Sequence, residues 1–219
     1  MVVHACGTRS GGTMTRLPCS EACERNKQPI LERLAVHFAA CTQVLEIGSG
    51  TGQHALHFAA ALPQLVWQTS EMPGQLDGVR AWLAAHPQTN VRAPLELDVG
   101  GAWPAGQWDA VFTANTLHIM SWESVCRLFD GLRDALLPGG VLAIYGPFNY
   151  AGKYTSDSNA AFDAWLRTRD PLSGIRDVEA VHERAASAGL LPLADHALPA
   201  NNRLLVWRRN AGDGLLDHA

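Results

Sequence analysis

The sequence lacks the clustered basic residues and the long apolar runs that characterise two large classes of protein. Its 17 lysines and arginines are scattered along 219 residues, and 21 acids outnumber them to give a net charge of −4. Since binding to duplex nucleic acid depends on clustered positive charge, no extended nucleic-acid surface is expected. No apolar run approaches the length of a membrane span, so no membrane partner is expected either.

The cysteines show no pattern of a disulfide framework or of a zinc site. The chain has five of them, an odd number, and the C-x3-C pair Cys19 and Cys23 has no second pair to complete four ligands. Structural zinc sites use two such pairs, or histidines at matching spacing. The sequence therefore predicts reduced thiols, no metal site and a cytoplasmic protein.

Strand-like and helix-like segments alternate through the first two thirds of the chain. Short apolar runs typical of buried strands lie at 42–47, 64–70, 90–99, 108–115 and 140–148. Helical patterns separate them at 51–62, 75–86 and 121–140, where Ser121 is the expected N-cap and Gly139 the expected end. This alternation predicts an α/β fold with a doubly wound, mostly parallel sheet and helices on both faces.

The flanking segments complete one predicted domain at 20–210. A helix at about 20–40 precedes the first strand, with a polar break at 24–28 and Pro29 in the first turn after the break. A polar insertion at 149–177 is predicted to carry a short helix at about 157–168 and to act as a lid. A helix at 177–188 and two strands at 190–198 and 203–209 follow, the strands pairing antiparallel through a turn at Asn201 and Asn202. We expect a flexible leader at 1–19, with Met14 as an alternative start, and a flexible tail at 211–219.

The first strand runs into a turn with glycines at alternate positions, Gly48, Gly50 and Gly52. A dinucleotide-binding turn would read G-x-G-x-x-G, but the third glycine here comes one residue early and position 53 is Gln. Glu46 would also repel a pyrophosphate. S-adenosylmethionine (SAM) carries a sulfonium and an ammonium, so an acid beside this turn favours SAM.

Two further acids end the next two predicted strands. Glu71 follows Gly52 at a distance along the chain where a carboxylate can accept both ribose hydroxyls, although an NAD enzyme would use an acid there as well. Asp98 ends the third strand and is placed to reach an adenine amino group. Three acids at three successive strand ends favour a ligand site over a ligand-free tight turn.

The segment from Glu46 to Gly52 resembles the first motif of the class I, Rossmann-like SAM-dependent methyltransferases, an acid followed by G-x-G-x-G. The resemblance covers about 42–209, including the LPGG turn at 137–140, and implies a seven-stranded sheet whose last strand is antiparallel. Segments 24–31, 114–119, 146–163 and 200–209 are similar to a little-characterised methyltransferase-like family, once catalogued as a domain of unknown function, that has a human member.

The superfamily resemblance implies roles for individual residues. Glu46 and the glycine segment, with Ser49 and Thr51, would hold the methionine part of SAM, Glu71 its ribose, and Asp98 with Val99 its adenine. Asn115 would lie near the methyl group. Arg25 and Asn26 precede a helix expected to cover the cofactor, where a cation can pair with the SAM carboxylate. These two residues have the alternative of capping that helix.

His118 follows the fourth strand, on the side from which the methyl acceptor should approach, and is a candidate for orienting or deprotonating it. Its alternative role is to cap the turn before Ser121. The insertion supplies the other predicted acceptor residues, whose aromatic and amide groups suit a small polar or aromatic molecule. They are Phe148, Asn149, Tyr150, Tyr154, Asn159 and Asp163. Asp163, a second candidate base, also has the spacing of an exposed ion pair with Arg167.

These observations favour methyl transfer from SAM to an O, N or S atom of a small molecule, with S-adenosylhomocysteine as the product. The sulfonium already activates the methyl group, so the protein mainly has to align the acceptor and exclude water. Two alternatives remain. One is a SAM-binding or protein-interaction module without catalysis, and the other, which Glu46 and the early third glycine disfavour, is an NAD-dependent oxidoreductase.

Overall fold

The computed structural model describes residues 3–10 and 13–211 and contains a seven-stranded sheet with helices on both faces. The predicted doubly wound α/β class is confirmed. The strands are β1 Val3–Ser10, β2 Thr13–Ser20, β3 Gln43–Ile47, β4 Val66–Glu71, β5 Val91–Glu96, β6 Trp108–Ala114, β7 Leu136–Gly146, β8 Phe148–Asn149, β9 Arg176–Asp177, β10 Leu190–Leu198 and β11 Asn202–Arg209. The helices are α1 Glu21–His37, α2 Gln53–Ala61, α3 Asp77–Ala85, α4 Trp122–Ala135, α5 Asp157–Arg169 and α6 Val178–Ser187.

The main sheet has the strand order β10-β11-β7-β6-β3-β4-β5. Strands β3 to β7 are parallel, whereas β11 is antiparallel to both β7 and β10, as predicted for the last strand. The order reverses at β3, which has β4 on one side and β6 on the other. Ligands of open α/β sheets bind at the carboxyl ends of the strands flanking such a reversal.

Alternation along the strands divides the core between the two faces of the sheet. Leu45 and Ile47 of β3 pack with apolar residues of α4 and α6, while Val44 packs with α1 and α2. Because successive strand side chains point to opposite faces, Glu46 must lie on the α1 and α2 face. The acid of the glycine motif is therefore set among apolar side chains rather than in solvent.

Helix α1 is continuous, so the predicted break at 24–28 is wrong. Ser20 caps it by accepting from the Cys23 backbone N–H at 3.4 Å, and Pro29 lies inside the helix. The buried residues Cys23, Asn26, Ile30 and Leu34 follow one helical stripe. The polar residues at 24–28 were misinterpreted as a break because the first two buried positions of the stripe are Cys23 and Asn26 rather than large apolar residues.

Helix α4 begins after Ser121 as predicted but ends at Ala135, earlier than the expected stop at Gly139. The next residue already has extended backbone and starts β7. The β6–β7 register shifts between the Trp108–Leu136 pair and the Ala110–Val141 pair, so an irregular segment lies between them. Pro138 prevents the helix from reaching Gly139, since the residue before a proline, here Leu137, disfavours helical backbone.

The segment 1–19, expected to be a flexible leader, contains two strands among its described residues. Strands β1 and β2 form an antiparallel hairpin, and Leu17 and Cys19 near its end are buried. The Pro18 carbonyl accepts a hydrogen bond from Trp82 of α3, which joins this segment to the domain. In the predicted tail, residues 212–219 lie outside the described part of the chain.

Candidate functional site

A cavity of about 410 Å³ lies where four parallel strands end around the reversal of strand order. Its wall contains the residues at or just after the ends of β3, β4, β5 and β6. We call it the switch-point cavity. Six of the residues predicted to hold a cofactor line it: Gly48, Gly50, Glu71, Asp98, Val99 and Asn115.

The glycine turn needs glycine at Gly48 for two reasons. Its φ of +71° is a conformation that residues with a Cβ rarely adopt, and a Cβ there would lie 2.7 Å from Cγ2 of Thr116. Gly50 and Gly52 also have positive φ, of 58° and 82°. The turn thus presents backbone, with no side chain from Gly48 or Gly50, to the cavity.

The acids of the cavity wall are held by backbone N–H groups. Glu71 accepts from Gly50 at 2.7 Å through Oε2 and from Met72 at 2.9 Å through Oε1, which fixes its carboxylate beside the glycine turn. Asp98 accepts from the Gly100 N–H at 2.8 Å. Both charged residues that line this cavity are acids, so it favours a cationic or hydroxyl-rich ligand.

Glu46 lies behind the turn rather than in the wall. It is 1% exposed, and its Oε2 accepts from Trp67 Nε1 and from the Ser49 hydroxyl, each at 3.0 Å. Burial raises the pKa of Glu46 to about 7, against the opposing effect of these two hydrogen bonds, and nearby Glu71 adds a smaller increase. Near neutral pH this carboxyl is thus poised between its two protonation states.

The other residues of the turn support it from within the fold. Ser49 and Thr51 are buried, and Gly52 is the N-cap of α2. The Thr51 hydroxyl donates to Gln53 Oε1 at 2.7 Å, and the same oxygen accepts from the Ser20 N–H at 2.7 Å. Gln53, the residue that breaks the dinucleotide pattern, therefore joins the start of α1 to the turn. Sequence reasoning missed this role, because it depends on a contact between residues far apart in the chain.

A second cavity, of about 370 Å³, adjoins the first, and we call it the α5 cavity. Its wall comes from the start of α1, from one face of α5 and from the segment after β6. Asn115 and Ile119 line both cavities. Asn115 has a φ of 58°, and its N–H donates to the Tyr145 carbonyl at 2.8 Å, so a fixed backbone turn separates the two spaces.

His118 lies in the wall of the α5 cavity and is 5% exposed. Its Nδ1 is buried without a hydrogen-bond partner among the described residues, and it faces Gly146, whose Cβ position would lie 3.6 Å away. Nε2 is therefore the nitrogen left to meet a ligand in the cavity. Burial, followed by the charge of Arg176, lowers the pKa of His118 to about 4, which keeps the imidazole neutral at physiological pH.

Asp163, the second candidate base, lies in a different place. Its side chain is 2% exposed and accepts from the Tyr154 hydroxyl at 2.8 Å, from Arg167 Nε at 2.8 Å and from the Ile175 N–H at 2.6 Å. Burial opposes its ionisation, but the Arg167, Ile175 and Tyr154 hydrogen bonds outweigh this and lower the pKa of Asp163. It is outside the α5 cavity wall, so the structure makes it an anchor between α5 and the loop after it.

The remaining predicted acceptor residues are used in packing and in hydrogen bonds of the insertion. Phe148 belongs to the core, and Asn149 is buried in the short β8–β9 pair. Tyr150 donates to Asp195 at 2.7 Å, while Asn159 donates to Thr155 and to the Asn201 carbonyl. Neither cavity wall includes any of these four residues or Tyr154.

The two predicted residues of α1 separate. Arg25 lines the α5 cavity, not the switch-point cavity, and forms a 3.5 Å ion pair with Glu21. Asn26 is buried, and its Oδ1 is 2.7 Å from His54 Nε2. Asn26 therefore connects α1 to α2 and contacts neither cavity.

Sequence reasoning also missed the residues that α5 contributes to the second cavity: Phe162, Trp165, Leu166 and Arg169. Their spacing of three, one and three residues is that of a single helical stripe, so a signal was present in the sequence. The prediction instead assigned the acceptor site to the tyrosines of the preceding loop, Tyr150 and Tyr154. In the described ranges, no helix has the length and apolarity to cross a membrane, and no cluster of three potential metal ligands occurs.

Comparison with known proteins agrees with this geometry. The family described as "Protein of unknown function (DUF938)" matches residues 17–209. An O-methyltransferase family protein from Burkholderia thailandensis has a similar structure, with a TM-score of 0.77 and 21% identity over 88% of this chain and 59% of that one. Human N-acetylserotonin methyltransferase, solved in complex with SAM, has a TM-score of 0.73 and 16% identity over 87% of this chain and 53% of that one.

A third similar structure is the SAM-dependent methyltransferase SibL in its apo form, with a TM-score of 0.73 and 24% identity over 86% of this chain and 56% of that one. The chain thus spans a little over half the length of each of these proteins. The likeness establishes a methyltransferase-type Rossmann-like fold.

Proposed function

The chain belongs to the DUF938 family, and we propose that it is a SAM-dependent methyltransferase acting on a small molecule. The observation that carries the proposal is the pair of adjoining cavities that share Asn115 and Ile119. One has acids and exposed glycine backbone, and the other has a buried neutral histidine. Two adjoining cavities suit methyl transfer, because the methyl donor and the acceptor must meet in line across a short gap.

The residues of the switch-point cavity fit SAM better than a dinucleotide. The glycine turn allows close approach to backbone, and a carboxylate at Glu71 can accept hydroxyl hydrogens of a ribose. Asp98 and Val99 would border the adenine, and the turn at 48–52 would border the methionine part. No basic side chain lines this cavity to balance the charge of a pyrophosphate, which disfavours NAD.

The chain's own residues would act mainly by position and by accepting one proton. When bound, SAM supplies an activated methyl group, so that an acceptor oxygen forms the new O–C bond as the S–C bond breaks and S-adenosylhomocysteine leaves. His118 Nε2 would take the hydroxyl proton of the acceptor. Asn115 and Ile119 would hold the acceptor against the shared boundary, and the two walls would exclude water.

Binding measurements on the purified full chain test the donor. Isothermal titration with SAM, S-adenosylhomocysteine and NAD should show binding of the first two. Glu71→Gln should reduce the affinity for SAM by about tenfold, since a charged hydrogen-bond acceptor becomes a neutral one. Glu96→Gln, on the exposed edge strand β5, serves as the matched control and should bind normally. Selective binding of NAD would overturn the proposal.

A second measurement tests catalysis. Incubation with methyl-labelled SAM and a small-molecule extract should transfer label to a low-molecular-weight product. SAM binding without labelled product would favour the alternative of a non-catalytic binding module, and label on protein or RNA alone would contradict a small-molecule acceptor.

A further inference from the structure

We propose that the acceptor is an aromatic acid, with a hydroxyl at one end of a flat ring system and a carboxylate at the other. This inference rests on the proposed methyl transfer and adds the shape and charge of the molecule that the α5 cavity takes. Three features of the cavity carry it: a run of aromatic side chains, an excess of positive charge at the mouth and an unpartnered histidine at the inner end.

The aromatic run extends from the interior to the surface. The rings of His118 and Phe162 meet edge to face with centroids 5.4 Å apart, and Phe162 and Trp165 stack at 5.7 Å with an interplanar angle of 17°. Trp165 is 43% exposed although it is large and apolar. A flat ring laid along this wall would bury that surface and gain aromatic contact.

The charge at the mouth is positive, whereas the whole chain is negative. Arg25 and Arg169 line the cavity, and Glu21 is the acid that opposes them. Arg25 and Glu21 form a long ion pair between side chains that are 72% and 67% exposed, so it is weak and open to exchange.

The guanidinium carbon of Arg169 lies 4.7 Å from the centroid of the Trp165 ring, and within the described ranges Arg169 has no acid within ion-pair distance. Ser20, Glu21 and Ala22, at the start of α1, also line this space, so the positive end of the α1 dipole faces it. A carboxylate fits this combination of charges.

The polarity of the cavity fixes the orientation of the acceptor. His118 is buried, and Nε2 is its free nitrogen, whereas Arg25 and Arg169 are exposed. A hydroxyl therefore lies inward, toward the boundary shared with the switch-point cavity, and the carboxylate lies outward. With its proton on Nδ1, the neutral imidazole accepts a hydrogen bond from a hydroxyl through Nε2. A carboxylate in the inner position would lie away from Arg25 and Arg169, the two cations that line the cavity.

The test compares acids with matched neutral compounds. The probes are para-hydroxybenzoate and para-hydroxycinnamate, each against its amide, titrated into the full chain in the presence of S-adenosylhomocysteine. We expect at least one acid to bind about tenfold more tightly than its amide, the difference typical of one charge-assisted contact. Arg169→Gln and Arg25→Gln should each reduce that preference, and Arg33→Gln, an exposed arginine of α1 outside both cavities, should preserve it.

Three results would overturn the inference: failure of both acids to bind, equal affinity for acid and amide, or a preference that survives in both arginine variants. Melting temperature and SAM affinity, measured for every variant, show whether the fold and the donor site are intact. The methyl-transfer proposal is judged separately. If the unaltered chain fails to bind SAM, that proposal fails, while titration of the acids without S-adenosylhomocysteine still reports on the charge of the α5 cavity.

Discussion

The side chain of Thr116 occupies the space that a Cβ at Gly48 would need, with Cγ2 only 2.7 Å from that position. This contact joins the glycine turn after β3, the strand at which the sheet order reverses, to the segment after the neighbouring strand β6. Thr116 is itself held by a 2.7 Å hydrogen bond with Thr113, so it has little freedom to withdraw. The switch-point cavity therefore has a rigid floor.

Substitution of Gly48 by alanine should destabilise the protein and weaken SAM binding more than a glycine substitution elsewhere. Gly74→Ala is the matched control, because Gly74 has a similar φ of 78° but no atom within 4 Å of its Cβ position. We expect the free energy of unfolding to fall by about 1 kcal/mol in the control, because of its positive φ alone. In Gly48→Ala it should fall further, because the new Cβ would clash with Thr116. Urea denaturation and SAM titration measure both effects, and equal losses in the two variants would contradict the role of Thr116.

Glu46 should make stability fall as pH rises. Its pKa is raised from an ordinary 4.5 to about 7 in the folded state. Between these two values the folded state binds more protons than the unfolded state, so the free energy of unfolding decreases with rising pH across that window and is constant above it. The decrease attributable to this group is ~3 kcal/mol.

Glu46→Gln should abolish that decrease while keeping an oxygen for Trp67 and Ser49. The measurement is denaturant unfolding from about pH 4.5 to 8, taken as the difference between variant and unaltered chain, since other groups titrate in both. Glu96→Gln on the exposed edge should reproduce the unaltered profile. Parallel profiles for Glu46→Gln and the unaltered chain would show that Glu46 does not titrate in this range.

His118→Ala should reduce turnover by about a hundredfold or more for a hydroxyl acceptor, with SAM affinity unchanged, because it removes a general base. His196→Gln, on strand β10 away from both cavities, should retain turnover. The pH dependence is a second readout. Since the His118 pKa is lowered to about 4, the base form persists well below pH 6.5, and the rate should stay level down to about pH 5. A fall centred near 6.5 would mean that some other histidine is the base.

Asp163→Asn should loosen the insertion rather than remove chemistry. The variant replaces one acceptor oxygen with a donor facing Tyr154, Arg167 or the Ile175 N–H, at a cost of about 2 kcal/mol in local stability. The adjacent Gly174 N–H donates to the His118 carbonyl at 2.9 Å, so the loosening should reach the α5 cavity.

Hydrogen exchange at 170–176 should therefore accelerate in Asp163→Asn, and KM for the acceptor should rise more than kcat falls. Arg167→Gln, which leaves the Tyr154 and Ile175 contacts of Asp163 in place, should show a smaller change of the same kind. A loss confined to kcat with unchanged exchange would instead indicate that Asp163 acts on the acceptor directly.

The alternation of strands and helices was sufficient to predict the sheet and to predict which residues meet at the carboxyl ends of its strands. Buried parallel strands are continuous apolar runs, so β3, β4 and β6 were recognisable, and the residues after them, Gly48 and Glu71 among others, were correctly expected to lie together. Local patterns contain this information, because the carboxyl ends of parallel strands meet wherever the sheet forms.

The arrangement of the insertion could not be obtained in the same way. Whether a residue of α5 faces a cavity depends on how that helix docks, and Asp163 fixes the docking through Ile175, a contact made by the fold rather than by the helix. Tyr150 and Tyr154 had suitable chemistry but turn to Asp195 and Asp163 instead. In α1, the buried stripe begins with Cys23 and Asn26, which are not typical core residues. The stripe was therefore recognisable only from the burial of these side chains in the structure.

The backbone turn at Asn115 belongs to the walls of both cavities. A ligand that moved this turn from one cavity would therefore change the shape of the other cavity. If occupancy of one cavity shifts this turn, affinity in the other cavity would change, and thermodynamic reciprocity requires the factor to be the same in each direction. In the proposed methyltransferase, donor and acceptor would then influence each other's binding before any bond is made. A spent donor left in place would govern how readily the methylated product departs.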